Sequence, residues 1–319
     1  MDSHFVDYLS KNRTQLMGAA MVLILLHHMW CFPYPTIFLQ VFKFGYFGVD
    51  VFIILSGFGL CFSYERSSVL SFYVRRLKRI LPLYWLAVLL VICLGFLFHF
   101  REYTFTQGIS YLTTLSYYGI GGVMSNWFVS AILILYLLFP FFYKLTCKHP
   151  YIVFGAINAL SLLAFALFDI DWRFECLIAR VPSFIFGIIC YLTLKRKLRM
   201  AIPLYISVLT MIIGFSYHGS TIFYIASFCP VFLFLLSAFP VTEIFRSDKA
   251  NTFLSFCGKY SYALFTSNII TAWFLDFIND IHPEWIRAYT KVPIYLVLTL
   301  ILGFVFIKAN DWFNKVPGR

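Results

Sequence analysis

Apolar residues gather along this chain into long runs, and most polar residues fall in the short segments between them. A run of about 20 mostly apolar residues lets one helix cross a bilayer. Ten stretches qualify: 16–32, 45–63, 80–99, 126–145, 150–168, 176–194, 201–217, 221–239, 254–275 and 291–308. The pattern therefore predicts an all-α fold, a polytopic membrane helical bundle of about ten transmembrane helices. The stretch 103–122 (YTFTQGISYLTTLSYYGIGG) is aromatic but rich in Gly, Ser and Thr, and it reads as an outer loop carrying an interfacial helix. The first apolar run is not read as a signal peptide. Trp30, Pro33 and Pro35 follow it, and a small-x-small cleavage site does not. No internal repeat, low-complexity linker or appended soluble domain shows along the sequence, so one integral membrane domain is expected over 1–319.

Composition sharpens that picture. Hydrophobic residues make up 61% of the chain, aromatic residues 21% and charged residues 12%, with a mean hydropathy of +0.83. A soluble domain carries about a quarter charged residues. This excludes a water-soluble globule, a disordered chain, a coiled coil and a typical nucleic-acid-binding domain. The net charge of +11 matters through its distribution. With the N-terminus inside, 19 of the 25 Lys and Arg residues fall in inner segments. Lys43, Arg101, Arg173, Arg287 and Lys291 fall outside, and Arg180 lies within a span. Basic residues concentrate in cytoplasmic loops, so the bias predicts both termini in the cytoplasm and an even number of spans. The eight cysteines are scattered, mostly in apolar runs, which argues against a disulfide framework or a zinc site.

Ionisable groups within a span are costly and mark candidate functional positions. His27 and His28 lie near the outer end of the first span, Asp50 near that of the second and Arg180 near that of the sixth. At the rise of a helix all four sit roughly 6–8 Å below the outer surface of the apolar slab. Asn126, Trp127 and Ser130 fall in the same layer on the fourth span. Mutual satisfaction between packed helices is the plain alternative for any one of them. For His28 together with Asp50 the functional reading is favoured: a neutral imidazole is the usual general base near neutral pH, and a carboxylate at the same depth would fix its tautomer. At the other end, FYVRRLKRILPLYW (72–85) places Arg75, Arg76, Lys78 and Arg79 at the inner mouth of the third span. This is either a dense positive-inside anchor or a phosphate clamp, since guanidinium forks match phosphate oxygens.

Several stretches, taken in order, resemble the acyltransferase 3 family of integral membrane acyltransferases. They are LMGAAMVLILLHHMW (16–30), FGYFGVDVFIILSGFGL (44–60), the basic segment just quoted, WFVSAILILYLLFP (127–140), RVPSFIFG (180–187) and GKYSYALF (258–265). The resemblance covers about residues 14–275. It implies transfer of an acyl group, usually acetyl, from cytoplasmic acyl-CoA to a hydroxyl of a cell-envelope sugar, by an enzyme of the inner (plasma) membrane. It implies that His28 is the catalytic base, with His27 and Asp50 beside it, and that Arg76 and Arg79, with Arg75 and Lys78, hold the CoA phosphates. Arg180, Ser56 and Tyr262 fall at positions the family pattern favours. The chain departs from the pattern twice. Met17 stands where the family commonly has Arg, with Arg13 one turn earlier, and Asn268 stands near where the family often has His.

The expected reaction needs acyl-CoA as co-substrate and no metal. The expected partners are membrane lipid and an envelope glycan or lipid-linked sugar, not nucleic acid. The oxyanion donors stay open among Asn126, Ser130, Trp127 and Arg180. A passage should join the arginine mouth to the imidazole, roughly 20 Å deeper across a core of about 30 Å. A transporter or flippase, and a catalytically inactive relative, are the competing expectations.

Overall fold

In lipid every backbone amide must find its partner within the segment, so apolar runs of this length fold as helices. The structure is a computed structural model. It describes residues 2–29, 42–98, 104–119, 127–216, 221–238, 247–281 and 288–315, and among these all regular structure is helical. The helices are α1 (Asp2–Lys11), α2 (Arg13–His28), α3 (Phe47–Glu65), α4 (Val69–Leu97), α5 (Phe105–Leu112), α6 (Trp127–Lys148), α7 (Pro150–Leu167), α8 (Trp172–Ile178), α9 (Val181–Arg196), α10 (Ala201–Ser216), α11 (Thr221–Ala238), α12 (Asp248–Lys259), α13 (Ser261–Ile281) and α14 (Ala288–Lys315).

Among the described residues, six segments are long and apolar enough to cross a membrane: Phe42–Glu65, Val69–Leu97, Trp127–Lys148, Pro150–Leu167, Trp172–Arg196 and Lys291–Phe313. Two shorter apolar helices, Ala201–Ser216 and Ile222–Ser237, accompany them. The outer faces match this reading. Leu160, Leu163 and Leu167 on α7, and Leu300, Ile301 and Phe304 on α14, are exposed apolar side chains, as on a lipid-facing surface.

Two expected spans are interrupted. The stretch 254–275 is split at Tyr260 into α12 and α13, and the stretch 176–194 is broken at Ala179 and Arg180 between α8 and α9. Pro182 sits in the first turn of α9, where its missing N–H costs nothing and the helix can restart. In contrast, α4 begins before the expected 80. Ser68 caps it by accepting from the Ser71 amide, so the basic cluster rides on the first turns of a single long helix.

At the centre of the bundle α3 packs along α9, both among the most buried helices. Their approach is set by glycines on each side. A Cβ at Gly57 would overlap the Phe184 carbonyl oxygen, and one at Gly187 would overlap that of Ile54. Helices α2 and α12 cross in the same way, Gly18 against Leu254 and Gly258 against Thr14. Helix α1 tucks Phe5, Val6 and Leu9 beneath the bundle, the Phe5 ring 5.3 Å from Phe234 and 6.4 Å from Phe186. Gly57→Ala is expected to push α3 and α9 apart and destabilise by about 1–3 kcal/mol, as overpacking does. Thermal unfolding in detergent reads this out. Gly155→Ala is the control, because the added methyl meets only Ile206 Cδ1 at 3.9 Å and its midpoint should not fall.

Candidate active site

The basic turns of α4 form one wall of a wide cleft of about 860 Å³, lined by Arg75, Arg76, Lys78 and Arg79. The facing wall is the α12–α13 turn, with Lys259, Tyr260 and Tyr262, and the end of α14, with Asn310 and Asp311. The turn forms where α12 runs into its crossing with α2, so the packing that splits the expected span also builds this wall. The cleft continues inward into a smaller cavity of about 80 Å³, and Arg76, Arg79, Ser261 and Tyr262 line both. The inner cavity adds Arg13, Met17, Ser56, Tyr136 and an apolar end of Phe52, Phe128 and Phe265. Tyr262 is fixed there by donating its hydroxyl to the Ile80 carbonyl, 3.0 Å away. The six expected residues Arg75, Arg76, Lys78, Arg79, Ser56 and Tyr262 are thus brought together. Lys259 and Tyr136 were not foreseen.

The polar layer also forms, with different pairings from those expected. His28 ends α2, and its Nδ1 lies 2.9 Å from the Ile24 carbonyl oxygen. A carbonyl can only accept and an amide nitrogen can only donate, so the Ile24 contact favours the proton on Nδ1 and the Asn268 contact favours the lone pair there. The Asn268 amide lies 3.1 Å from the same Nδ1, and the Tyr295 hydroxyl donates to Asn268 Oδ1. His27 places Nδ1 3.2 Å from the Lys43 carbonyl oxygen, and its ring stands 5.5 Å from His28 and 5.2 Å from Tyr46.

Asp50 is not the partner of His28. Its Oδ1 lies 3.3 Å from Arg180 Nε, and both side chains are 0% exposed. The break between α8 and α9 is what turns Arg180 inward. Its guanidinium is held between the Tyr46 and Trp127 rings, 4.5 and 4.6 Å from their centroids, and Nη1 donates to the Cys176 carbonyl at 3.0 Å. A continuous series of contacts therefore runs His28, His27, Tyr46, Arg180, Asp50. The depth argument paired Asp50 with His28, whereas the carboxylate meets Arg180. Ser130 donates its hydroxyl to the Thr114 carbonyl at 3.0 Å, tying α6 to the preceding turn. Asn126 lies outside the described residues.

Among the described residues, the inner cavity does not continue to His28. The lining of the inner cavity ends at Phe52, Phe128 and Phe265 and does not include His28. The Phe128 ring stands 4.8 Å from Phe265 and 6.4 Å from Phe52. Each of these rings lies within a turn of a polar-layer residue on its own helix: Phe52 of Asp50, Phe128 of Trp127, and Phe265 of Asn268. Aromatic side chains thus line the inner cavity at helix positions next to those of the polar layer.

A family model described as an acyltransferase domain matches residues 16–308. No curated protein and no solved structure shows a significant match.

Proposed function

Since the chain belongs to the Acyl_transf_3 family of acyltransferase domains, we propose that this multi-pass membrane protein moves an acyl group, acetyl in the first instance, from acyl-CoA to a hydroxyl of an envelope carbohydrate. The observation that carries this reading is one bundle holding both a basic cleft that narrows inward and a pair of histidines at the end of α2. Ten spans with both termini cytoplasmic, in the inner (plasma) membrane, fit the distribution of Lys and Arg. The cleft then opens to the compartment that holds CoA, and His28 sits toward the far side.

The CoA phosphates pair with Arg75, Arg76, Lys78 and Arg79, and the uncharged arm runs inward past Ser56 and Tyr262. The cavity stops at three phenylalanine rings, so donor binding has to turn them aside. His28 Nε2 takes the proton of the acceptor hydroxyl as its oxygen attacks the thioester carbonyl. The C–S bond breaks from the tetrahedral intermediate, and the imidazolium returns the proton to the CoA sulfur. Arg180 places a positive charge in the same layer, where the oxyanion develops.

Membranes containing the protein, given radiolabelled acetyl-CoA, should release CoA and label an envelope glycan. Bound but unconsumed donor would overturn the proposal and favour a carrier or an inactive relative. Arg76→Ala combined with Arg79→Ala should raise KM for acetyl-CoA by about 100-fold, as loss of two charge-assisted contacts implies. The acceptor KM should stay within about twofold, well under 1 kcal/mol. Equal loss of both would mean a folding defect.

A further inference from the structure

The inner cavity carries three guanidinium groups, Arg13, Arg76 and Arg79, and no carboxylate. The ion pairs among the described residues are Arg173 with Asp171, Arg180 with Asp50 and Lys195 with Glu65, so none neutralises this group. Nε of Arg13 and Nε of Arg76 are buried without a hydrogen-bond partner. Buried guanidinium donors left open in this way cost free energy unless an anion meets them. Arg13 is placed there by the fold and has not drifted in from the surface. Its Nη2 donates to the Leu55 carbonyl at 3.4 Å, and Gly59 leaves it room, since a Cβ at that position would lie 2.5 Å from Nη2 and 2.9 Å from Cζ.

Resting on the acyl-CoA reading, we propose that Arg13, Arg76 and Arg79 form the diphosphate station of the donor, while the 3′-phosphate sits in the wide cleft beside Lys259. The shape of the cavity separates the two. The diphosphate carries the pantetheine arm and so must lie where the cleft narrows, whereas the adenosine with its 3′-phosphate needs the larger space outside. Lys259 lines that outer space and does not line the inner cavity. The dimensions agree. Met17, on the inner cavity, precedes His28 by eleven residues, about 16 Å along α2. The arm from phosphate to thioester is an extended chain of about thirteen bonds, on the order of 15 Å at the reach of extended covalent geometry. A diphosphate held at the neck therefore brings the thioester to the level of His28, and one held at the outer rim of the cleft does not. Arg13 is in this sense a donor-positioning residue on the same helix as the base.

The test uses the full-length protein in membranes with three donors: acetyl-CoA, its 3′-dephospho form and acetyl-pantetheine, which lacks every phosphate. Arg13→Gln should raise KM about ten- to hundredfold for both phosphorylated donors and leave acetyl-pantetheine unchanged. Lys259→Gln should raise KM for acetyl-CoA alone. If Arg13→Gln spares the dephospho donor, Arg13 reads the 3′-phosphate and the assignment is wrong. If it impairs acetyl-pantetheine equally, the residue serves the fold and the assignment is again wrong. If the wild-type protein consumes none of the three, it is the acyl-CoA reading itself that falls.

Discussion

His28→Ala is expected to lower acyl transfer by about 10²- to 10⁴-fold, the range a positioned general base contributes. The loss should fall on kcat, because His28 lines neither the wide cleft nor the inner cavity and so has no part in holding the donor phosphates. The tautomer makes the expectation specific. Base catalysis through Nε2 requires the proton on Nδ1, shared with the Ile24 carbonyl, and not the lone pair there that the Asn268 amide would meet. His27→Ala is the internal comparison. That ring is seated on the Lys43 carbonyl and against Tyr46, at the edge of the Arg180 group, and its loss should cost less than His28. Transfer of label from acetyl-CoA, measured with CoA affinity on the same membranes, separates these effects. Undiminished turnover in His28→Ala would end the general-base assignment, and a larger loss in His27→Ala would move it one residue along the helix.

The reach of the sequence, and its limit, follow from what each argument measures. Long apolar runs fix helices because lipid leaves the backbone no other partner, and the expected 45–63, 126–145, 150–168 and 201–217 closely match α3, α6, α7 and α10. The breaks at Arg180 and Tyr260 were not legible, since an apolar run stays apolar across a break. Pro182 was the one available signal. Counting residues from a membrane surface gives depth, which is a single coordinate; the structure links His28, His27, Tyr46, Arg180 and Asp50 by contacts, with Trp127 on Arg180. Depth says nothing about rotation about each helix axis, so it paired Asp50 with His28 when the carboxylate in fact faces Arg180. Tyr295 escaped notice because a tyrosine within an apolar run reads as interface, and only the packing of α13 on α14 brings it to Asn268. Arg13 was visible only as a displaced relative of the residue expected at Met17. Both positions line the same cavity.

The Asp50–Arg180 pair should give the largest effect on stability. Both side chains are wholly buried, and neither Asp50 oxygen has a hydrogen-bond partner beyond the 3.3 Å approach of Arg180 Nε. A buried pair repays its desolvation only with excellent geometry and further hydrogen bonds, so this pair is poorly explained by stability alone. Removing one partner still leaves an uncompensated charge: Asp50→Leu or Arg180→Met should each cost about 3–5 kcal/mol, read as a lowered unfolding midpoint in detergent. Arg180→Lys should not rescue it, because an ammonium cannot fill a planar slot between Tyr46 and Trp127 as a guanidinium does. Asp50→Leu combined with Arg180→Met removes both charges and should recover most of the lost stability, since apolar replacements of whole pairs are close to neutral. The decisive reading is activity in that double variant. A stable protein that binds acetyl-CoA yet transfers at a small fraction of the wild-type rate assigns the charges to the reaction. Full transfer in the same protein would make the pair a packing element, and the oxyanion would then have to be met elsewhere in the layer.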